Sequence, residues 1–175
     1  MEAIDYNNSV TYYKQVVSGT NLYQNEKDFG TSYKIQVEGQ DSYFKIAPLL
    51  NEEKDFAVLS AKLYKDLAFC IKDYIEKNNI NRNLWIRFES WKLQEPGTED
   101  PQVKNIVSDY VDGRIVILYF VDECSPEGSL FFEKQGLSIN PEPNSALIFP
   151  SGKDYSYEIK KLSKGSRRII EMIAY

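Results

Sequence analysis

The pattern of apolar and polar positions changes period twice along the chain. Val10-Thr11-Tyr12-Tyr13-Lys14-Gln15-Val16-Val17 is rich in β-branched and aromatic residues and runs into the turn residues Ser18-Gly19-Thr20-Asn21, which predicts a strand. Tyr33 to Val37 alternates apolar and polar, Glu38 to Ser42 turns, and Tyr43 to Ala47 follows, which predicts a hairpin closed by Pro48. From Asn51 the period becomes helical. Asn51 can cap the helix, and Glu52, Glu53 and Asp55 place negative charge in its first turn, where the helix dipole favours it. Phe56, Leu59, Leu63, Leu67, Cys70 or Ile71, and Tyr74 form one apolar stripe, and Lys77-Asn78-Asn79 ends it. A helix over 51–77 with one such stripe is expected to lie against a sheet.

Beyond residue 80 the period returns to that of strands. Leu84, Ile86 and Phe88 alternate with Trp85, Arg87 and Glu89, and Trp85 and Trp91 are expected on one face as core or rim packing. Gln94 to Pro101 reads as a loop. Ile115 to Val121 is apolar at every position, which predicts a central strand covered on both sides. Short strands are expected at Ser129 to Phe132, Ala146 to Phe149, Tyr155 to Ile159 and Arg167 to Ile173. The whole reads as one domain over 1–175, mainly β with one long helix (α+β). It comprises a β-rich segment 1–50, a supporting helix 51–80 and a core 84–175 built as a sandwich or barrel.

Composition narrows the function classes. With 42% hydrophobic and 27% charged residues, the 175-residue chain is globular and long enough for one real core. Its net charge of −5 argues against nucleic-acid binding. The basic residues Lys160, Lys161, Lys164, Arg167 and Arg168 read as a solvated turn between strands. No apolar run is long enough to cross a bilayer, and the first residues do not resemble a secretion signal. Two cysteines make no disulfide framework, so a reduced, cytoplasmic protein is expected. Cys70 is expected to pack as a small apolar residue, and Cys124 has no histidine to activate it. Asp109, Asp112, Asp122, Glu123 and Glu127 bracket the central strand; they read as a solvated rim, with an all-oxygen metal site as the alternative. Thirteen tyrosines, Tyr12, Tyr13, Tyr33 and Tyr43 among them, offer either ordinary strand residues or a sheet face for a protein partner or self-association.

The order of motifs is more specific than any one of them. A buried strand ending Leu118-Tyr119-Phe120-Val121-Asp122 precedes Gly128-Ser129-Leu130-Phe131-Phe132. Ala146-Leu147-Ile148-Phe149-Pro150-Ser151 follows, and Gly165-Ser166-Arg167 opens the last strand. From about Leu84 to Tyr175 this resembles the prolyl-4-hydroxylase-like branch of the 2-oxoglutarate/Fe(II) oxygenases. The resemblance implies a double-stranded β-helix, of jelly-roll or cupin-like form, closing two sheets over a pocket. It also implies an iron held by two histidines and one carboxylate.

The chain contains no histidine. The resemblance places the first ligand pair at Val107 and Asp109. It places the second histidine at Tyr157, eight residues before Gly165. Valine cannot coordinate, and a phenol of pKa near ~10 is a poor ligand for ferrous iron at neutral pH. Arg167 matches the arginine that clamps the distal carboxylate of 2-oxoglutarate; a structural salt bridge or an exposed strand-end charge is the alternative, favoured role. Strand alternation puts Glu171 on the face of Arg167, where its charge would oppose a dianion.

Two readings follow. One is a binding or structural module in a protein assembly, with no catalytic residues and no iron or 2-oxoglutarate as cofactor. The other is an oxygenase-family enzyme or metabolite-binding protein with a non-standard site on Arg167 and carboxylates. The missing histidines favour the first.

Overall fold

The computed structural model describes residues 1–6, 9–17, 43–44, 54–80, 86–94, 102–104, 114–121, 128–160, 162, 164 and 167–174. Eleven strands and one long helix are seen among them. The strands are β1 (Glu2–Tyr6), β2 (Val10–Lys14), β3 (Tyr43–Phe44), β4 (Ile86–Gln94), β5 (Gln102–Lys104), β6 (Ile115–Phe120), β7 (Leu130–Phe132), β8 (Leu137–Ile139), β9 (Ser145–Pro150), β10 (Tyr157–Ile159) and β11 (Arg167–Ala174); the helix is α1 (Lys54–Lys77).

The strands form two antiparallel sheets. The larger runs β1-β2-β9-β6-β11-β4-β3 and the smaller β5-β10-β7-β8. From β4 onward the chain crosses between sheets at almost every connection. β4, β6, β9 and β11 lie in one sheet, β5, β7, β8 and β10 in the other, and only the tight β7–β8 hairpin stays within a sheet. Strands laid down alternately in two facing sheets make a double-stranded β-helix. Gly136 takes the left-handed conformation (φ 60°) that closes the β7–β8 turn, and its N–H donates to the Glu133 carbonyl at 3.1 Å.

The fully apolar run of β6 has its cause in this layering. Ile115, Ile117, Tyr119 and Val121 join a cluster beneath α1, and Val116, Leu118 and Phe120 join a second cluster between the sheets. A strand covered on both faces has no solvent side on which to place polar residues. β9 divides the same way, with Ala146 and Ile148 toward the helix and Leu147 and Phe149 between the sheets.

From Leu63 onward the stripe of α1 is buried as its period predicts; the side chains of Phe56 and Leu59 lie outside what is described. Leu63, Leu67, Cys70, Ile71 and Tyr74 pack on the outer face of the large sheet, while Lys65, Ala68, Lys72 and Glu76 are exposed. Its end is a Schellman motif. Asn79 is left-handed (φ 53°), the Ile80 N–H donates to the Ile75 carbonyl at 3.0 Å, and the Asn79 N–H donates to the Glu76 carbonyl at 3.3 Å. Ile80 then packs back on the helix-side core. The cap expected at Asn51 lies outside the described residues.

Several local expectations are revised. Tyr43–Phe44 pairs with Lys92 and Trp91 of β4, while residues 33–37, its expected hairpin partner, lie outside the described residues. β4 runs on to Gln94, and its alternation is broken by a bulge: Ser90 faces Glu171 and Phe88 faces Met172, so Glu89 is skipped. Trp85 lies outside the described residues. Tyr12 and Tyr13 are both buried, on opposite faces of β2, which corrects the expectation that they could offer an exposed contact face. Within the large sheet β2 is covered by α1 on one side and by the small sheet on the other, so both rings are buried. Among the described residues no helix is long and apolar enough to cross a membrane.

Candidate functional site

The inter-sheet space is where this architecture can hold a ligand. Its walls are the interior faces of β2, β9, β6 and β11 on one side and of β7, β8 and β10 on the other. Phe132 ends the Gly-x-Leu-x-Phe step, Phe149 belongs to the Leu-x-Phe-Pro step, and Tyr157 occupies the position that the resemblance gives to a histidine. The fold brings these three motif positions together.

The ring centroids of Phe132 and Phe149 are 5.1 Å apart at 81°, those of Phe149 and Tyr157 5.7 Å apart at 81°, and those of Phe132 and Tyr157 5.6 Å apart at 40°. The two edge-to-face contacts are among the arrangements that the ring quadrupole favours. Tyr157 is 2% exposed and opens β10, paired with Lys104 of β5. It is a core residue packed between two phenylalanines.

Val107 and Asp109 lie outside the described residues, as do Asp112, Asp122, Glu123, Cys124 and Glu127. Among the described residues no three cysteine or acidic side chains converge to hold a metal. An iron triad draws on imidazole nitrogens, and the chain offers none. A phenol enclosed by two phenyl rings is no substitute for one. The residues present do not fit the iron of the oxygenases.

Arg167 is the first residue of β11, opposite Gln94 of β4. Two positions on, Ile169 packs in the inter-sheet cluster, while Ile170, Met172 and Ala174 pack under the helix. The alternation places Glu171 on the interior side of the sheet, opposite Leu118 of β6, and it is only 5% exposed. The interior face of β11 therefore includes a buried acidic side chain.

The polar chemistry of the described residues is concentrated elsewhere. On the helix side, Tyr13 Oη donates to Asp73 Oδ2 at 2.9 Å, and Lys77 Nζ reaches the same oxygen at 2.8 Å and Asp5 Oδ2 at 3.3 Å. Partial burial alone would push the Asp73 carboxyl up, but the hydrogen bonds from Lys77 and Tyr13 outweigh it and hold the group below its ordinary value. Burial, followed by the bond to Asp73, pushes the Tyr13 phenol far up. Tyr74 Oη donates to the Ser9 carbonyl at 2.7 Å. These contacts fasten the β1–β2 hairpin to α1.

Asn144 makes a second junction. It is left-handed (φ 56°), its Oδ1 accepts from the Val17 N–H at 2.9 Å and from Tyr119 Oη at 3.1 Å, and its Nδ2 donates to the Val17 carbonyl at 2.9 Å. The amide acts as one more peptide unit paired with Val17. Sequence reasoning passed over both junctions. The Asn-Ser step after Pro143 was a usable turn signal, whereas the Tyr13–Asp73 pairing joins residues 60 apart and has no local signature.

The remaining candidates are ordinary. Burial pushes the Cys70 thiol up to about 12, so it stays protonated at neutral pH. Lys160 and Lys164 are exposed, with Lys160 Nζ 6.0 Å from the centroid of the Phe131 ring. Lys161 lies outside the described residues.

No family model matches the chain, and no curated protein matches it in sequence. Solved structures do match in shape. A truncated form of the viral collagen prolyl hydroxylase of Paramecium Bursaria Chlorella virus-1 superposes with a TM-score of 0.65 at 9% identity, over 99% of this chain and 96% of that one. A Pseudomonas putida prolyl-4-hydroxylase gives 0.61 at 11% identity, over 96% of this chain and 84% of that one. A Trichoplax adhaerens prolyl hydroxylase, in complex with a hypoxia inducible factor peptide fragment, gives 0.61 at 16% identity, over 97% and 84%. At such identities the likeness establishes architecture and leaves the chemistry to the site. This chain has the double-stranded β-helix fold of the prolyl-hydroxylase-like 2-oxoglutarate oxygenases.

Proposed function

We propose that this chain is a non-catalytic binding or structural module, built on the oxygenase fold and working in a protein assembly within a reducing, cytoplasmic compartment. One observation carries the reading. The position that would hold the second iron ligand is Tyr157, and its ring is packed against Phe132 and Phe149 as part of the core. An enzyme of this fold needs that position to present a metal ligand; here it supplies buried aromatic surface. The total absence of histidine points the same way.

The competing reading is a metabolite-binding protein using Arg167. The arginine is at the matching strand position, but the other end of 2-oxoglutarate normally chelates the metal. A charge-assisted contact is worth about 1.5–3 kcal/mol, and tenfold in affinity is about 1.4 kcal/mol. Loss of two such contacts weakens binding by roughly two to four powers of ten.

Calorimetry with 2-oxoglutarate on the wild type and on Arg167→Ala, with a parallel assay for ferrous-dependent 2-oxoglutarate consumption, separates the readings. The module reading expects no heat at sub-millimolar ligand, no consumption and an unchanged fold in the variant. Micromolar binding abolished by Arg167→Ala would make this a metabolite sensor, and iron-dependent consumption would make it an enzyme.

A further inference from the structure

We infer that Met1 is an oxidation site whose thioether covers the Cys70 thiol, so that a peroxide acting on Met1 uncovers a thiol it cannot reach directly.

The strand register brings the two sulfurs together. Glu2 pairs with Lys14 and Tyr6 with Val10, which lays β1 along β2. Side chains alternate along a strand. Ile4 and Tyr6 pack on the inter-sheet cluster, so the odd positions turn toward α1. Asp5 meets the helix at Lys77, with 3.3 Å between its Oδ2 and the lysine Nζ. Met1 shares that parity, and Cys70 lies seven residues before Lys77, about two turns back along the same side of the helix. The Cys70 thiol donates to Met1 Sδ at 3.2 Å and to the Asp66 carbonyl, one turn earlier, at 3.7 Å.

What reaches the two sulfurs differs sharply. Met1 is 60% exposed, whereas Cys70 is 0% exposed, in the cluster that also holds Leu67 and Tyr74. The reactive form of a cysteine is the thiolate, and burial pushes this thiol up to about 12, so Cys70 is inert where it lies. A thioether needs no deprotonation before it reacts. The other methionine of the chain, Met172, is 0% exposed. Oxidation by a peroxide is thereby directed to Met1.

In the step itself the thioether sulfur takes one oxygen of hydrogen peroxide. The O–O bond breaks, an S–O bond forms and water leaves; sulfur gives up two electrons and the peroxide accepts them. The product is a polar sulfoxide, and a polar group without partners is disfavoured against the apolar cluster around Cys70. Met1 precedes the first residue pair of the β1–β2 ladder, so its side chain swings into solvent without breaking a ladder bond. Methionine sulfoxide reductases reverse the step, one enzyme for each sulfoxide epimer, and the cover closes again.

The test uses the full chain with Cys124→Ser, in which Cys70 is the remaining cysteine. Dilute hydrogen peroxide is added until intact mass shows a single added oxygen, catalase stops the reaction, and peptide mapping locates the oxygen. Access to Cys70 is read with dithiobis(nitrobenzoate), whose disulfide exchanges with an open thiol and releases a coloured thiolate. The oxygen is expected on Met1, with labelling of Cys70 about tenfold faster or more and an unchanged circular-dichroism spectrum. The two reductases are expected to restore the slow rate. Met1→Leu, released from a cleavable N-terminal fusion, is expected to label slowly before and after peroxide. Sulfoxide on Met1 with no change in the rate, oxidation of Cys70 while Met1 is intact, an equal response in Met1→Leu, or faster labelling through loss of the folded spectrum overturns the proposal. These readouts do not involve the inter-sheet space, so their failure leaves the module reading standing.

Discussion

Tyr12 and Tyr13 are adjacent in the chain and serve two differently built cores. Tyr13 faces α1, where its hydroxyl donates to Asp73, and that side of the sheet is fastened by hydrogen bonds between residues distant in sequence: Tyr13 to Asp73, Tyr74 to Ser9, Asn144 to Val17. Tyr12 faces the small sheet. Its hydroxyl accepts one bond from the Glu142 N–H at 2.7 Å, and the packing around it comes from aliphatic and aromatic rings. The helix side is held by directional bonds at its margins, and the inter-sheet side by filled volume. The contrast bears on function, because the inter-sheet space is the part of this fold that holds a ligand in an oxygenase. Here Phe132, Phe149 and Tyr157 pack their rings against one another within it.

The contrast can be broken most severely at Tyr157. Truncation of a buried ring costs about 3–5 kcal/mol, and Tyr157→Ala is expected to lose that much in urea denaturation. A loss below about 1 kcal/mol would mean that the ring bounds an open pocket. Asn144→Ala removes three side-chain bonds and puts alanine at φ 56°. It should cost about 2–3 kcal/mol, and Asn144→Gly somewhat less, since glycine keeps the backbone unstrained.

The smallest effect belongs to a single bond of the helix-side junction. Tyr13→Phe should cost about 1 kcal/mol and, in addition, change the pH dependence. Asp73 titrates below its ordinary 3.8 in the folded chain, so the stability it contributes is present above that value and is lost as pH falls through the folded one. Lys77 titrates above its ordinary 10.5, through its bond to Asp73, so its contribution is present below 10.5 and is lost as pH rises through the folded value. With no histidine in the chain, stability is expected to be flat from about pH 5 to 8. Tyr13→Phe should make the acid limb shallower, because Asp73 loses one of the two bonds that hold it ionised. An unchanged acid limb would remove the junction from the account.

Much of this architecture was legible because it repeats. The stripe of α1 from Leu63 to Tyr74 and the unbroken apolar run of β6 are legible signals, and both are buried as their patterns require. The motifs in order from Gly128 to Arg167 carried the double-stranded β-helix. β1 was missed because an edge strand has no second neighbour to impose alternation, and Glu2 and Asp5 obscure what remains. β5 and β8, at three residues, are too short to show a period. The bulge at Glu89 and the burial of Tyr12 are set by neighbouring strands and layers, which no local window contains. At the site, Tyr157 could be found by counting back from Gly165. Its enclosure by Phe132 and Phe149 depends on three strands in two sheets and becomes visible only in the folded chain.

The central claim, that an oxygenase fold here carries no iron chemistry, is tested most directly by the iron content of the chain. Anaerobic reconstitution with ferrous iron and 2-oxoglutarate, desalting and elemental mass spectrometry give that number. The account predicts iron far below one atom per chain, unchanged by Arg167→Ala. Near-stoichiometric iron, with 2-oxoglutarate consumed when oxygen is admitted, would contradict it.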